Sequence, residues 1–210
     1  AKSHFLANIT HEIRTPMIGI LGMTELAMTT EISPKQREYL EMAHHSAQSL
    51  LTVLNDIVDY ARIETGAFEL ARTPFALRET AEEVMSVFRP LAAKKGLSLT
   101  YRFIGAVPAT LVGDPSRLRQ VLINLVGNAV KFTDAGSVVL AVARIGNGQD
   151  SDQARLRFEV RDTGIGIPGD KIKAIFDSFT QADVSPARRY QGAGLGLAIV
   201  RQLVEMMHGS

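Results

Sequence analysis

The chain has 210 residues, 46% hydrophobic and 21% charged, which is an ordinary globular composition with enough length for one large domain or two small ones. The absence of cysteine excludes disulfides, thiolate metal sites and thiol catalysis, and 23 basic against 22 acidic residues give no reason to expect nucleic-acid binding. No apolar run approaches the roughly 18 residues of a membrane span, and the amino terminus lacks a signal-peptide pattern, so a soluble intracellular chain is expected.

Residues 1–66 are predicted to form two long antiparallel helices. Ser33 and Pro34 are typical of a helix start and Gly66 of a helix stop. Apolar residues recur at heptad spacing in both helices, at Leu6, Ile9, Ile13, Pro16, Ile20, Met23 and Ala27, and at Leu40, Ala43, Ala47, Leu50, Leu54, Ile57 and Ala61. Because one hairpin buries such faces poorly, the pattern predicts a homodimer whose four helices form a bundle.

From about Pro74 helices and strands alternate. Helices are predicted at 77–95 with a kink at Pro90, at 115–133, near Lys171, and from the last glycine-rich stretch to about Met207. Strands are predicted at 97–103, 137–144 and 156–161, with a polar hairpin turn at 146–153 and an irregular stretch at 179–193. The close hairpin favours an antiparallel-containing α/β sandwich over a doubly wound parallel sheet, so the whole chain is predicted to be α+β.

One face of the helix at 115–133 carries polar residues within an arc of roughly 80°, at Arg117, Gln120, Asn124, Asn128 and Lys131. The neighbouring arc is predicted to face the core, at Leu118, Val121, Leu122, Leu125 and Ala129. Amide oxygens suit magnesium and an ammonium group suits an oxyanion, so the stripe fits a metal with phosphates. A solvated polar face, which needs no ligand, explains the stripe equally well.

Two glycine-rich stretches are candidates for ligand contact. The run DTGIGI at 162–167 follows a strand, where glycines let the backbone approach a flat ligand and Asp162 can accept from an exocyclic amine. The run GAGLGL at 192–197 opens the last helix, where glycine-rich backbone can cradle phosphate. Its spacing matches neither a Walker loop nor a dinucleotide fingerprint. Taken alone, each stretch is explained as well by an ordinary turn.

His11 lies two residues before the heptad position Ile13, on the predicted outer face of the first helix. An exposed imidazole there is mostly neutral near pH 7 and nucleophilic through one ring nitrogen. Glu12 can take or orient the proton on the other nitrogen, and Thr15 shares the face of His11. Taken alone, His11 is better explained as a surface histidine, and the other histidines are also assigned to the surface: His4, His44, His45 and His208.

In their order the motifs resemble the transmitter region of bacterial sensor histidine kinases, over nearly the whole chain. The matching stretches are HEIRTP at 11–16, NLVGNAVKFT at 124–133, DTGIGI at 162–167, FDSFTQAD at 176–183 and GAGLGLAIV at 192–200. They are similar to the family's phosphoacceptor, asparagine, first glycine, phenylalanine and second glycine boxes, and SHFLANITHEIRTP is most similar to the hybrid branch. The resemblance implies a dimerisation and histidine phosphotransfer hairpin at 1–66, a linker at 67–74, and at 75–210 an ATP-binding domain of the gyrase, chaperone and histidine kinase type.

The resemblance also implies an activity and its residues. ATP would phosphorylate His11 with Glu12 as general base, the phosphoryl group would pass to an aspartate of a response-regulator receiver domain, and Thr15 would assist a phosphatase activity towards that partner. Asn128 would ligate Mg²⁺. The other nucleotide contacts implied are Asn124, Lys131, Asp162, Gly164, Gly166, Phe176, Phe179, Gly192, Gly194, Leu195 and Gly196.

Several features depart from this pattern or leave alternatives. Ala193 stands in place of a usual threonine, Ile18 in place of a polar residue, and the chain ends at Ser210 where the family continues into closing strands, whose loss would expose a sheet edge. A related ATP hydrolase would need a glutamate at Asn124, since an amide cannot deprotonate water. A catalytically silent dimeric docking module is the alternative function. The resemblance places this fragment in the cytoplasm and its parent in the bacterial inner membrane.

Overall fold

The computed structural model describes residues 2–66, 68–146, 153–172, 174–177 and 194–210, with only the backbone described at residues 2–9, 11 and 64. The chain divides into two units, Ala1–Glu69 and Leu70–Ser210. Within the described residues, no helix combines the length and apolar character that a membrane crossing requires. The predicted limits of the domains and linker stay predictions.

The first unit is a hairpin of two helices, α1 (Lys2–Met28) and α2 (Pro34–Glu64). Ser33 caps α2, because its Oγ accepts from Gln36 N at 3.3 Å while Gln36 Oε1 accepts from Ser33 N at 2.8 Å. Pro34 occupies the first turn, where a missing N–H costs nothing. The predicted helix start is therefore confirmed.

Only some of the apolar positions in the predicted heptad pattern are buried between α1 and α2. Among side chains that the structure describes, the hairpin buries Thr10, Met17, Ala47 and Val58. Several predicted heptad positions instead stay exposed in the single chain: Ile13 by 36%, Ile20 by 46%, Met23 by 70% and Leu50 by 48%. The hairpin thus has a second apolar face that its own two helices do not cover.

His44 is not a simple surface histidine, which corrects the sequence assignment. It is half-buried, and its Nδ1 lies 3.0 Å from Thr24 Oγ1 on the opposite helix. The Thr24 oxygen also lies 2.9 Å from each of the Ile20 and Leu21 carbonyl oxygens, so this contact joins His44 to the backbone of α1. His45 and His208 are exposed as expected, and the His4 side chain lies outside the described residues.

The second unit is an α/β domain, and the predicted fold class of a helical hairpin followed by such a domain is confirmed. Its elements in chain order are β1 (Thr73–Ala76), α3 (Leu77–Lys95), β2 (Ser98–Ile104), β3 (Thr110–Gly113), α4 (Pro115–Phe132), β4 (Ser137–Arg144), β5 (Leu156–Asp162), a 3-10 turn (Ala174–Phe176) and α5 (Gly196–Met206). The described main sheet has the order β2-β4-β5, with β2 parallel and β5 antiparallel to β4. The antiparallel pairing of β4 with β5 matches expectation, whereas residues 147–152 of the predicted turn lie outside the described residues.

The core lies between the sheet and helices α3 and α4. Val138, Leu140 and Val142 of β4 are fully buried at alternate positions, as a strand with one core face requires. In α4 the buried set is Leu118, Val121, Leu122, Val126, Ala129 and Val130. Leu125, predicted for the core, is only half-buried. The buried arc is wider than predicted because α4 packs against α3, α5, β4 and β5 at once.

The structure differs from the sequence-based expectations at two other places in this domain. β1 and β3 form an antiparallel pair that was not predicted from the sequence, and β1 starts at Thr73. Two four-residue strands are too short to show an alternating pattern, and their pairing joins segments about forty residues apart. Near Lys171 there is a turn followed by the 3-10 turn instead of an α-helix. α3 runs from Leu77 to Lys95 with Pro90 inside it, so its predicted bounds are confirmed, while the predicted kink stays a prediction.

Candidate functional site

The polar stripe of α4 is partly exposed to solvent and partly buried. Asp114 starts the helix, since its Oδ1 accepts from Arg117 N at 3.0 Å. All five predicted stripe residues are half-buried: Arg117, Gln120, Asn124, Asn128 and Lys131. Arg117 Nη1 donates to Gln120 Oε1 at 2.7 Å. Because the stripe is still partly open to solvent, a ligand can reach its amide and basic groups.

The two asparagines differ in how they are held. Asn124 Nδ2 donates to Gln120 O at 3.2 Å, and its Oδ1 faces the start of α5, where a Cβ on Gly196 would lie only 2.7 Å away. The Asn128 amide makes no hydrogen bond to the residues that the structure describes. Asn128 therefore has an amide oxygen available for a ligand, whereas Asn124 lies between α4 and the second glycine box.

Lys131 lies in the last turn of α4, with its Nζ 5.0 Å from the centre of the Phe132 ring. Partial burial lowers the pKa of the Lys131 ammonium from its ordinary value, because desolvation disfavours the charged form. A phosphate oxyanion near this position would favour the charged form again. Lys131 is therefore a half-buried ammonium group on the same polar face as Asn124 and Asn128.

The first glycine stretch is tied to the end of α4. The Asp162 carboxylate ends β5, and its Oδ1 accepts from Gly164 N at 2.9 Å. Ile165 N donates to Phe132 O at 3.3 Å, and a side chain at Gly164 would collide with that same carbonyl oxygen. Gly164 is thus required by the close approach of two backbones. The turn leaves Asp162 exposed and able to accept further hydrogen bonds.

Thr163, to which no role was assigned from the sequence, connects the first glycine stretch to the segment that precedes and starts β4. Its Oγ1 accepts from Ser137 N at 3.0 Å and donates to Ala135 O at 3.2 Å. Gly136 adopts a φ of 108° here and has no room for a side chain beside Thr163. The start of β4 and the residue that follows β5 are therefore held together by hydrogen bonds next to Asp162.

Exposed apolar side chains follow Asp162, which the sequence analysis also missed. Ile165 is 73% exposed, and Ile167 and Ile172 are each about half exposed. Gly166 between them has a φ of 69°, a backbone conformation that favours glycine. Apolar side chains beside an exposed carboxylate are what a flat heteroaromatic ring with an amine needs. The isoleucines within the run DTGIGI at 162–167 are the feature of the sequence from which this apolar surface could have been predicted.

The second glycine stretch is described from Gly194 onward. Gly194 has a φ of 69°, and Leu195 precedes the first turn of α5. Leu195, which is predicted to contact nucleotide, is only 1% exposed, so its side chain is buried within the domain. Phe176 is half-buried in the 3-10 turn, which packs against α5. Phe179 and Gly192 lie outside the described residues.

The phosphoacceptor motif lies within α1, in the other unit. His11 is helical, and its side chain is outside the description, while Glu12 and Thr15 are exposed. Arg14 Nη2 donates to Asn55 Oδ1 at 2.8 Å, which ties α1 to α2 one turn after His11. Beside Asn55, partial burial and the nearby Asp59 carboxylate raise the pKa of Asp56 from 3.8 to about 6.

An open groove of about 480 Å³ lies elsewhere on the α/β domain and holds none of the motif residues. It is lined by Arg78, Glu79, Glu82, Glu83 and Tyr101. Hydrogen bonds from Tyr101 and Arg89 lower the pKa of Glu82, and Glu83 pairs with Arg119 at 2.6 Å. Glu82 and Glu83 therefore already have basic or hydroxyl partners, and the motif residues around α4 remain the candidate site.

The two units match two protein-family profiles. Residues 1–66 match the His Kinase A (phospho-acceptor) domain, and residues 113–210 match the histidine kinase-, DNA gyrase B- and HSP90-like ATPase family. A helical phosphoacceptor hairpin followed by an ATPase-type α/β domain defines a class of two-part phosphotransfer proteins. The chain belongs to the sensor histidine kinases, of which it contains the transmitter region.

Individual relatives agree with this assignment. The chain is 47% identical over 210 residues to the sensory/regulatory protein RpfC of Xanthomonas campestris, covering all of this chain and 29% of RpfC. Full-length ShkA in complex with AMPPNP superposes with a TM-score of 0.78 at 38% identity, over 99% of this chain and 42% of that one. Histidine kinase ThkA in complex with response regulator TrrA gives a TM-score of 0.60 at 26% identity, over 98% and 55%. The chain thus spans less than a third of RpfC.

Proposed function

We propose that the chain phosphorylates His11 from Mg²⁺-ATP and passes the phosphoryl group to an aspartate of a response-regulator receiver domain. The observation that carries the proposal is the pair of close approaches along α4. Gly196 backbone lies against Asn124 at the middle of the helix, and Gly164 backbone lies against the Phe132 carbonyl at its end. Together they place both glycine stretches next to the half-buried amide face.

The nucleotide roles follow from these positions. Asp162 accepts from the adenine amine through the carboxylate capacity that its bond to Gly164 N leaves, with Ile165 and Ile167 against the ring. Lys131 meets the phosphates, because an oxyanion offsets the desolvation of its ammonium. The bound AMPPNP in ShkA supports a nucleotide in this fold. We extend these roles to Phe176, Phe179, Gly166, Gly192, Gly194 and the Leu195 backbone.

The residues present fit a magnesium ion held together with substrate phosphates. In the described part of the chain no three acidic or histidine side chains gather as a metal site. Mg²⁺ is usually held by one or two protein oxygens plus phosphate oxygens and water, and the Asn128 amide oxygen is available for that purpose. Bound there, the ion would neutralise charge on the phosphates.

In the proposed phosphoryl transfer, His11 is the one residue of the chain that forms a covalent bond to the phosphoryl group. One ring nitrogen of His11 attacks the γ-phosphorus, the bond from that phosphorus to the β–γ bridging oxygen breaks, and ADP leaves. Glu12, exposed and adjacent in α1, takes the proton from the other ring nitrogen. A receiver carboxylate then attacks the phosphorus, the N–P bond breaks, and His11 recovers its proton. Thr15, on the same helix face, assists a phosphatase activity towards the partner, in which water attacks the aspartyl phosphate and inorganic phosphate leaves.

Two assemblies belong to this proposal. A homodimer covers the exposed apolar side of the hairpin at Ile20, Met23 and Leu50. A receiver domain docks on the hairpin near His11, supported by the ThkA–TrrA complex. We further propose that the whole protein is anchored in the inner membrane by segments outside this chain.

The test is incubation of the whole chain with γ-labelled ATP and magnesium. The unaltered chain is expected to acquire acid-labile, base-stable label, which His11→Gln abolishes and Asn128→Ala lowers at least about tenfold. His45→Gln, an exposed histidine of α2, is the matched control and keeps full labelling. Label that persists in His11→Gln contradicts the acceptor assignment. Nucleotide binding without any label favours the silent docking module.

A further inference from the structure

Lys95, which no motif contains, makes an unusual set of contacts at the end of α3. Its Nζ donates to three carbonyl oxygens, those of Val130 at 2.8 Å, Lys131 at 2.9 Å and Thr133 at 3.0 Å. An ammonium group has three protons, so these bonds use its whole donor capacity. The Asp134 carboxylate lies 3.8 Å away and supplies a counter-charge.

These contacts complete the end of α4. A helix leaves its last four carbonyls without partners in the helix, and many helices end on a left-handed glycine that satisfies them. α4 instead ends on Thr133 in an extended conformation. Its last four carbonyls are satisfied by Thr133 Oγ1 on Ala129, Lys95 on Val130 and Lys131, and Ile165 N on Phe132.

The same turn holds the two parts of the nucleotide site. It carries Lys131, and its Phe132 carbonyl is the acceptor and close contact for the first glycine stretch. A positive charge at a helix C-terminus also opposes the negative end of the helix dipole. Without Lys95 this turn loses its side-chain attachment to α3, and three carbonyl oxygens lose this donor.

We propose that Lys95 is a positioning residue for nucleotide binding, acting through the last turn of α4 on Lys131 and on the loop after Asp162. The inference rests on the proposed nucleotide site. In the proposed role, Lys95 does not contact the nucleotide itself. It fixes the backbone from which the phosphate-binding ammonium and the adenine-binding loop extend.

The test measures the Kd of a non-hydrolysable ATP analogue by calorimetry on the whole chain. Lys95→Met is expected to raise the Kd about tenfold, since displacing binding groups by a fraction of an ångström has effects of this order. Lys94→Met, at the exposed neighbouring lysine, leaves the Kd unchanged. Lys95→Arg restores part of the affinity, because it keeps the charge but its planar donors cannot converge on three carbonyls.

Two further variants separate positioning from loss of stability. Val84→Ala removes buried side-chain volume from the same helix and is expected to lower Tm while leaving the Kd within about twofold. Lys95→Met combined with Lys131→Met is expected to raise the Kd by less than the product of the single effects, since both act on one contact. Equal Kd changes in Lys95→Met and Val84→Ala overturn the inference, as does full additivity. If Lys95→Met binds the analogue with an unchanged Kd, the role of Lys95 is disproved while the proposed nucleotide site stands. If the unaltered chain binds no nucleotide, the proposed site is disproved as well.

Discussion

The helical hairpin and the α/β domain bury apolar surface in different ways. In the α/β domain, side chains such as Leu122, Leu140 and Ile199 are completely buried within one chain. In the hairpin the buried apolar side chains among those described are Met17, Ala47 and Val58, while many larger ones stay exposed. The α/β domain therefore has its own core, and we expect the stability of the hairpin to depend on protein concentration through a second copy.

The largest expected effect tests the self-sufficient core of the α/β domain. Leu122→Ala removes a fully buried side chain of α4 and is expected to destabilise this domain by about 3 kcal/mol, from lost burial and the cavity left behind. Calorimetric unfolding of the whole chain measures it at several concentrations. Val112→Ala, 72% exposed in the same domain, is the control and changes stability by less than about 0.5 kcal/mol. A concentration-dependent shift of this domain's transition would contradict the comparison.

The next effect tests whether the hairpin needs a partner. Ile20→Glu places a charge on the predicted heptad face and is expected to weaken dimerisation by about 2 kcal/mol, because an unpaired charge would be buried. Sedimentation over a dilution series measures the dimer Kd. Ile18→Glu, exposed by 57% on the same helix but off the heptad face, is the matched control and leaves it unchanged. Equal weakening by both variants would disprove the assigned face.

A smaller effect concerns the nucleotide site and not the core. Gly196→Ala places a Cβ 2.7 Å from Asn124 Oδ1 and is expected to raise the Kd for ATP about tenfold by displacing that amide, with little change in Tm. Gly22→Ala is the control in α1, where a Cβ meets nothing within 4 Å. It is expected to stabilise the hairpin by up to about 1 kcal/mol and leave the Kd unaltered. A loss of Tm without a loss of affinity in Gly196→Ala would contradict a role of this contact in nucleotide binding.

The smallest effect is the pH dependence of the hairpin through Asp56. Its pKa is raised from 3.8 to about 6 on folding, so the folded state binds the proton more tightly and stability falls as pH rises from about 4 to about 6. Asp56→Asn is expected to stabilise the chain at pH 7 by about 1 kcal/mol, less than the pKa change implies because the group is partly exposed. Denaturation from pH 4 to 8 measures the difference between the two proteins, which should vanish at the acid end. Asp59→Asn should move the window to lower pH.

The long, strongly patterned elements could be predicted from the sequence. The start of α2 follows from Ser33, Pro34 and Gln36, whose capping contacts are local. The polar stripe of α4 follows from helical spacing alone. The short strands β1 and β3 could not be predicted, because each becomes a strand only by pairing with the other.

The candidate site shows the same division. Asn124, Asn128, Lys131 and Asp162 were identifiable because their residue types and spacing match a family motif. Lys95 and Thr163 were not, because their roles come from contacts with carbonyls and amides distant in the sequence. Leu195 lay within a motif, yet only packing shows that its side chain is buried.

The sequence by itself determined the two-part organisation, the long helices and the family, since periodicity, caps and motif spacing are local properties of a chain. Tertiary structure decided which apolar face of the hairpin its own helices cover and how α4 ends. It also decided why Gly164 and Gly196 must be glycine, because each meets an atom from another element. Such close approaches depend on how distant segments pack, which no local pattern records.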